Sequence, residues 1–356
     1  MKSLFIGSTS RYSGKSLICL GLGSKFTKDG LNIGYIKPIG TTPTYVGDQL
    51  TDEDGVFIAR ALKIDEPLDL LCPVLVTQDF LVNTLEGKIK KMDVKVADAH
   101  KKLSTNKDIM LIGGAGNIYE GTFLGLSGLY LLELLKAKLI LVDTHQTDIF
   151  CIDYLLSVKE KIGDNLLGVI LNKVRPEELD CMKRRIIPFL EKKGIKVLGI
   201  IPHDRILDSI SIARLKEILG GEILCCDNKL DGLIERFSIG AMNVESALKF
   251  FRKSKNKAVI TGGDRADIQL AALETSTRCI ILTGELYPSD IILARAEERG
   301  VPVMVVKDDT ISTVEKIERI LGRLRLREEE KIRKVKEVVE QNINFEVIYE
   351  ELGLKV

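Results

Sequence analysis

Six short apolar runs constrain the first half of this chain more than any motif does: SLFIG, NIGYI, DIMLIG, KLILVD, LLGVILN and KVLGII, all between residues 3 and 201. None alternates apolar with polar residues as a strand with one wet face would. The segments between them are long enough for crossover helices. Strands buried on both faces and joined by crossovers predict an α/β fold, a doubly wound and mainly parallel sheet. Ligands of such sheets gather at the carboxyl ends of the strands, so the chemistry is sought there.

The text changes near residues 202–210 and the alternation then begins again. Strands are expected at EILCC, KAVIT, CIILT and VPVMVV, and helices at VESALKFF, ADIQLAALE and SDIILARAEER. A chain of 356 residues suits more than one domain. The expected division is an α/β domain at 1–210, a smaller α/β domain at 211–309 and a C-terminal helical tail at 310–356. Ser312 and Glu315 read as a capping box that opens a charged helix reaching about Gln341. Its apolar seam of Val314, Ile317, Leu321 and Leu324 breaks at Glu328 and Lys331, which suits docking on the same chain better than pairing with a partner helix. The run LEGKIKKMDVKVADAHKKL, residues 85–103, reads as one helix with a solvated basic face.

Composition excludes several classes of function. Apolar residues make up 45% and charged residues 29%, mixed along the sequence, as in a folded globular protein. A formal net charge of +1 gives no basic excess for nucleic acid. No apolar run reaches the length of a membrane span or a signal peptide, so the expected location is cytoplasmic, without membrane contact. The seven cysteines are scattered without a CxxC pair, and His100, His145 and His203 lack metal-ligand spacing.

The strongest local signal is GSTSRYSGKS, residues 7–16, which follows an apolar run and precedes a helical pattern. In a P-loop the backbone amides and helix N-terminus favour an anion, so Thr9, Ser10, Arg11, Tyr12, Ser13, Gly14, Lys15 and Ser16 are candidates to bind phosphates. Lys15 can reach the terminal phosphates and Ser16 can hold magnesium. The spelling departs from GxxxxGK[ST], because Thr9 stands where the first glycine would be.

Other strand ends point to the same rim. Lys37 ends the second run in YIKPIG. Asp52 and Asp54 precede a helix, as metal ligands or simply as acids favoured by the helix dipole. LIGGAGNIYEG, residues 111–121, and ILNKV, residues 170–174, are either turns or close approaches to a ligand. In the second domain, AVIT ends at Thr261, Gly262 and Gly263, with Asp264 suited to cap the next helix, and CIILT ends at Thr283 and Gly284. If these strands are neighbours, their turns flank a crevice where Arg265 could meet an anion. A pair of structural turns explains the same residues.

The succession STSRYSGKS, IKPIG, the acidic helix start with Asp54, GGAGN, ILNKV and GIIPHDR resembles the dethiobiotin synthetase family. It resembles still more the N-terminal region of long bacterial phosphotransacetylases. AVITGGDRADIQLAALE, residues 258–274, is similar to the DRTGG domain that follows the synthetase-like domain there.

The resemblance implies ATP or ADP with Mg2+ as cofactors. Lys15 and Ser16 then serve phosphate and magnesium, Lys37 is a lysine near substrate and terminal phosphate, Asp54 binds the metal, and Asn172 reads adenine. Pro202, in GIIPHDR, is counted with the nucleotide-binding residues. Gly113 stands where the synthetases carry a metal-binding glutamate. The chain ends at Val356, where a catalytic acetyltransferase domain would follow in those proteins. The implied function is a nucleotide-binding regulatory or assembly protein with weak or no turnover. A second copy of the chain or an acetate-metabolism enzyme is the expected partner. The alternative is an ATP-dependent ligase that activates a carboxylate or carbamate.

Overall fold

The computed structural model describes residues 1–144, 149–321 and 329–355. Residues up to 203, together with the last two helices, form one compact unit, and the chain from 204 through the helix after residue 310 forms a second. The tail expected at 310–356 is thus divided between the two.

In the first unit the apolar runs become β1 (Lys2–Ser8), β2 (Ile33–Ile36), β3 (Ile109–Gly113), β4 (Lys138–Thr144), β5 (Leu166–Val174) and β6 (Val197–Pro202). They form one wholly parallel sheet in the order β6-β5-β4-β1-β3-β2. The strand order reverses at β1, which lies between β3 and β4. A doubly wound sheet opens its ligand crevice at such a reversal. α1 (Lys15–Lys28) leaves β1 at that point.

Most of α1 is buried, including Leu17, Ile18, Leu20, Leu22 and Phe26. The helices α2 (Glu53–Ala61), α3 (Met92–Leu103), α4 (Gly128–Leu134) and α5 (Ile149–Ile162) complete the covering of this sheet. The helix expected over 85–103 is shorter, because Lys91 takes a left-handed φ of 59° and α3 begins only at Met92.

The second unit holds β7 (Glu222–Cys225), β8 (Arg236–Ile239), β9 (Lys257–Gly262), β10 (Thr277–Thr283) and β11 (Val303–Val305). Their order is β7-β11-β10-β9-β8, parallel except for β7. β8 was not expected: RFSI has only two strong apolar residues, and Ile239 is exposed. Among the helices here are α6 (Val244–Lys253), α7 (Ala266–Leu273), α8 (Asp290–Arg299) and α9 (Thr310–Leu321). Ser312 does not cap α9. The helix starts earlier, and Asp309 Oδ1 accepts from the amides of Ile311 and Ser312.

α10 (Glu329–Asn342) and α11 (Phe345–Leu352) return to the first unit. Phe345 packs edge-on against Phe26 of α1 with ring centroids 6.2 Å apart, and Lys28 pairs with Glu340 at 2.7 Å. His145, Leu324 and Glu328 lie outside the described residues. Among the described residues no helix is long and apolar enough to cross a membrane.

The contact between α1 and α10 explains a glycine inside α1. A Cβ on Gly21 would lie 2.4 to 2.6 Å from three atoms of Val339, so the two helices meet where only hydrogen fits. Helix propensity alone would make Gly21→Ala stabilising by about 1 kcal/mol, whereas overpacking costs about 1–3 kcal/mol. Packing should win. Gly21→Ala is expected to lower the urea midpoint of the first unit, and a raised midpoint would contradict this packing.

Candidate functional site

Between β1 and α1 the backbone makes two left-handed turns, at Tyr12 (φ 60°) and at Gly14 (φ 98°). Gly14 is the N-cap of α1 and gives it no side-chain cap. The first-turn amides therefore keep their donors for another acceptor, and the partial positive end of the helix favours an anion there. Ser13 is buried and its hydroxyl has no partner in the fold. An orphaned hydroxyl beside uncapped amides fits a phosphate oxygen.

The loop is braced from three strands. Thr9 Oγ1 donates to Asp143 at the end of β4. Asn172, near the end of β5 and buried, donates from Nδ2 to the Ser13 carbonyl at 2.8 Å, while its Oδ1 accepts from the Lys173 amide at 2.9 Å. A Cβ on Gly14 would meet that Nδ2 at 2.1 Å. Gly14 is thus required by close approach as well as by its φ. On the other side, Gly114 donates to the Ile6 carbonyl at 3.0 Å and Ile118 to that of Ser8 at 2.9 Å, which closes the GGAGN loop onto the P-loop.

Two lysines and several acids converge here. Lys15 Nζ donates to Ser8 Oγ at 2.7 Å and to the Gly116 carbonyl. Burial, seconded by the nearby Lys37 charge, lowers its pKa to about 8. Lys37 is buried and lies 3.0 Å from Asp52 Oδ1 and 3.1 Å from Asp54 Oδ2. Burial pulls its pKa down, but Asp54 and Asp52 outweigh that and raise it.

Asp52 is also the N-cap of α2, accepting from the Gly55 and Thr42 amides at 2.9 Å each. It serves the fold, while Asp54 is partly exposed and can reach a ligand. Ser16 sits in the first turn of α1. Pro202 ends β6 at the sheet edge, three strands from β1.

Two residues of this site, Glu120 and Asp143, were not among the candidates. Glu120 holds Arg11 of the P-loop through Oε1 at 2.5 Å and accepts from the Gly116 amide through Oε2 at 3.1 Å. The pair is 109 residues apart, and no local pattern announces it. Asp143 was more accessible to inspection, since it lies near the end of an apolar strand beside β1. Among the described residues no group of three His, Cys, Asp or Glu side chains gathers to hold a metal.

In the second unit β9 and β10 are neighbours and the two Thr-Gly turns adjoin, with Gly262 opposite Thr283. Several of the residues here have partners within the fold. Arg265 is held by Asp267 at two 3.0 Å contacts and donates to the Met242 carbonyl. Asp264 does not cap α7, whose N-cap is Arg265 without a side-chain bond. Gln269, buried and unremarked in the sequence, donates to the carbonyls of Gly262 and Gly263. Thr261 donates to the Gly240 carbonyl, and Gly284 takes a φ of 81°.

Two protein-family profiles match the chain, one described as AAA domain over residues 2–211 and one described as DRTGG domain over residues 214–320. The phosphate acetyltransferase of Pseudomonas aeruginosa is 23% identical over 99% of this chain and 52% of its own length. That of Synechocystis is 24% identical over 97% of this chain and 51% of its own. The ATP-dependent dethiobiotin synthetase of Methanocaldococcus jannaschii is 24% identical over 56% of this chain and 92% of its own. The chain spans about half the length of the phosphate acetyltransferases it matches. The resemblance read from the P-loop and TGGDR stretches is borne out.

The brace from Asn172 has a measurable consequence. Removing the donor leaves the buried Ser13 carbonyl unmet, at a cost of about 1–3 kcal/mol. Asn172→Ala should lower the melting temperature, and Asn172→Asp, whose carboxylate cannot donate, should lower it at least as far. A stable aspartate variant would contradict the donor role.

Proposed function

The chain belongs to the AAA-domain family, and from that premise we propose that it is an ATP- or ADP-binding regulatory or assembly protein with weak or no turnover. The observation that carries this reading is the braced P-loop, with its uncapped helix amides, the unpartnered Ser13 hydroxyl and Lys15 folded over them. Lys15 leaves the Gly116 carbonyl and turns to the terminal phosphates. Ser16 and Asp54 hold magnesium, which offsets phosphate charge when bound. Asn172 is proposed to meet the base through Oδ1, which has one lone pair beyond the bond it accepts from the Lys173 amide.

Weak turnover rests on how the charges are spent. Lys37 is engaged by two carboxylates, so it is poorly placed to stabilise a transferred phosphoryl group, a task that needs charge aimed at the transition state. Position 113 offers no carboxylate. Its obstacle is steric, because a Cβ there would lie 2.8 Å from the hydroxyl of Tyr35, which is buried. The ligase reading differs in one readout. A ligase releases ADP and phosphate when its acid substrate and magnesium are supplied. The partner is proposed to be a second copy of the chain or an acetate-metabolism enzyme.

Magnesium with ATP or ADP should raise the melting temperature. Lys15→Ala should weaken binding about tenfold to a hundredfold, the equivalent of one charged hydrogen bond. Equal binding by both proteins in calorimetry would sink the reading.

Affinity should also depend on pH. The free Lys15 pKa is lowered to about 8, and a bound phosphate restores its charge. Lys15 therefore contributes fully below pH 8, and its contribution falls as pH rises beyond that. Calorimetry at pH 7 and pH 9 should show weaker binding at pH 9, and the difference should vanish in Lys15→Ala.

The clash at position 113 is testable separately. Gly113→Ala should destabilise the chain, and in a Tyr35→Phe background the penalty should shrink by about 0.5 kcal/mol or more, the size expected of contacting residues. An equal penalty in both backgrounds would show that Tyr35 is not the obstacle.

A further inference from the structure

At the amino ends of β10 and β11, within the second unit and opposite the Thr-Gly turns, lies a cavity of about 390 Å³. That is within the size range of small-molecule sites. Lys229, Arg278 and Arg299 line it, and among the described residues no carboxylate does. Two of the three cations are held in place. Arg278 Nε donates to Asn256 Oδ1 at 3.0 Å, and Asn256 is itself fixed by Glu235 at 2.7 Å. Arg299 pairs with Glu274 at 3.1 Å; Glu274 is shared with Arg295 at 2.7 Å, and Arg295 pairs in turn with Glu298 at 2.6 Å, so the charges of that group balance.

Lys229 lies across Gly300, where a Cβ would meet its Nζ at 2.0 Å. Gly232 and Gly300 add no side chains to the lining.

A further positive charge stands behind the wall. Lys257 is fully buried and is held by three neutral oxygens, the carbonyls of Ser254 and Ser276 and the hydroxyl of Thr275. Thr275 Oγ1 lies 3.2 Å from Thr277 Oγ1, and Thr277 lines the cavity. Burial lowers the Lys257 pKa to about 8, as expected of an ammonium without a carboxylate partner. Arg299 closes α8, where the helix end favours a cation unaided. That explanation does not extend to Arg278, which stands in a strand, and has little force at Lys229, which ends only a single 3-10 turn.

We propose that this cavity is an anion site for a phosphorylated small molecule, gripped by Lys229 and Arg278 with Arg299 at its rim. It is separate from the P-loop, so the chain carries two phosphate-binding sites. Arginine suits such a role because its fork can hold two phosphate oxygens at once.

The test uses the full chain with Lys15→Ala, which takes away the P-loop lysine, titrated with inorganic pyrophosphate in a calorimeter. Binding is expected. It should weaken tenfold or more when Lys229→Gln and Arg278→Gln are added, and it should weaken with rising salt. No binding by the Lys15→Ala chain, or binding unchanged by the two added substitutions, would overturn the proposal. The same two substitutions in a chain that keeps Lys15 should leave magnesium–ATP binding unaltered. Loss of ATP binding there would show that the two sites are not separate. All three side chains are exposed, and Lys229→Gln alone serves as a second variant should the double substitution disturb folding.

Discussion

The hydrogen bond from Asn172 to the Ser13 carbonyl joins the two parts of the first unit on which its chemistry rests. It spans 159 residues and reaches a loop whose next residue, Gly14, is left-handed and has no room for a side chain. Because Asn172 arrives on β5, two strands from β1, the parallel order of the sheet is a precondition for the shape of the loop. Thr9 and Asp143 tie the same loop to β4, and the GGAGN turn ties it to β3. A loop fixed from both sides does not have to be ordered by its ligand, which removes part of the entropic cost of binding.

Within that frame, charges are satisfied internally. Lys15 points at a carbonyl and a hydroxyl, Arg11 at Glu120, and Lys37 at Asp52 and Asp54. An incoming phosphate must compete with these partners. Lys15 is the easiest to recruit, since its present acceptors are neutral and its pKa is already lowered. Lys37 is the hardest, because removing it would leave two acids close together without their cation. The proposed separation of binding from turnover rests on this difference: Lys15 has neutral acceptors that it can leave, whereas Lys37 is engaged by two carboxylates.

Much of this was legible in the sequence. The six apolar runs name the strands because continuous burial on both faces leaves an unmistakable pattern, and GKS after the first of them marks the loop. Residues 261–263 and 283–284 were placed correctly at adjoining strand ends. What could not be read were side-chain partnerships across long separations, such as Arg11 with Glu120 or Lys229 over Gly300, which depend on topology. Short-range detail also misled. Asp264 and Ser312 have the composition of caps, but α7 has its N-cap at Arg265, and α9 starts earlier than Ser312, where Asp309 accepts from the Ile311 and Ser312 amides. Arg265 was open to two readings, an anion ligand or part of a structural turn, and its pairing with Asp267 two residues on is a detail that the sequence left open.

The central claim is that the P-loop holds nucleotide phosphates and leaves them largely intact. Phosphorus NMR of ATP mixed with stoichiometric protein and magnesium tests it most directly, because one experiment follows the environment of each phosphate and its fate. The account predicts β- and γ-phosphate resonances shifted or broadened by the wild-type chain, far less by Lys15→Ala, with the γ signal persisting over hours. Resonances identical to those of free ATP would contradict binding. Prompt loss of the γ signal to inorganic phosphate would contradict the regulatory reading and favour a working ligase or ATPase.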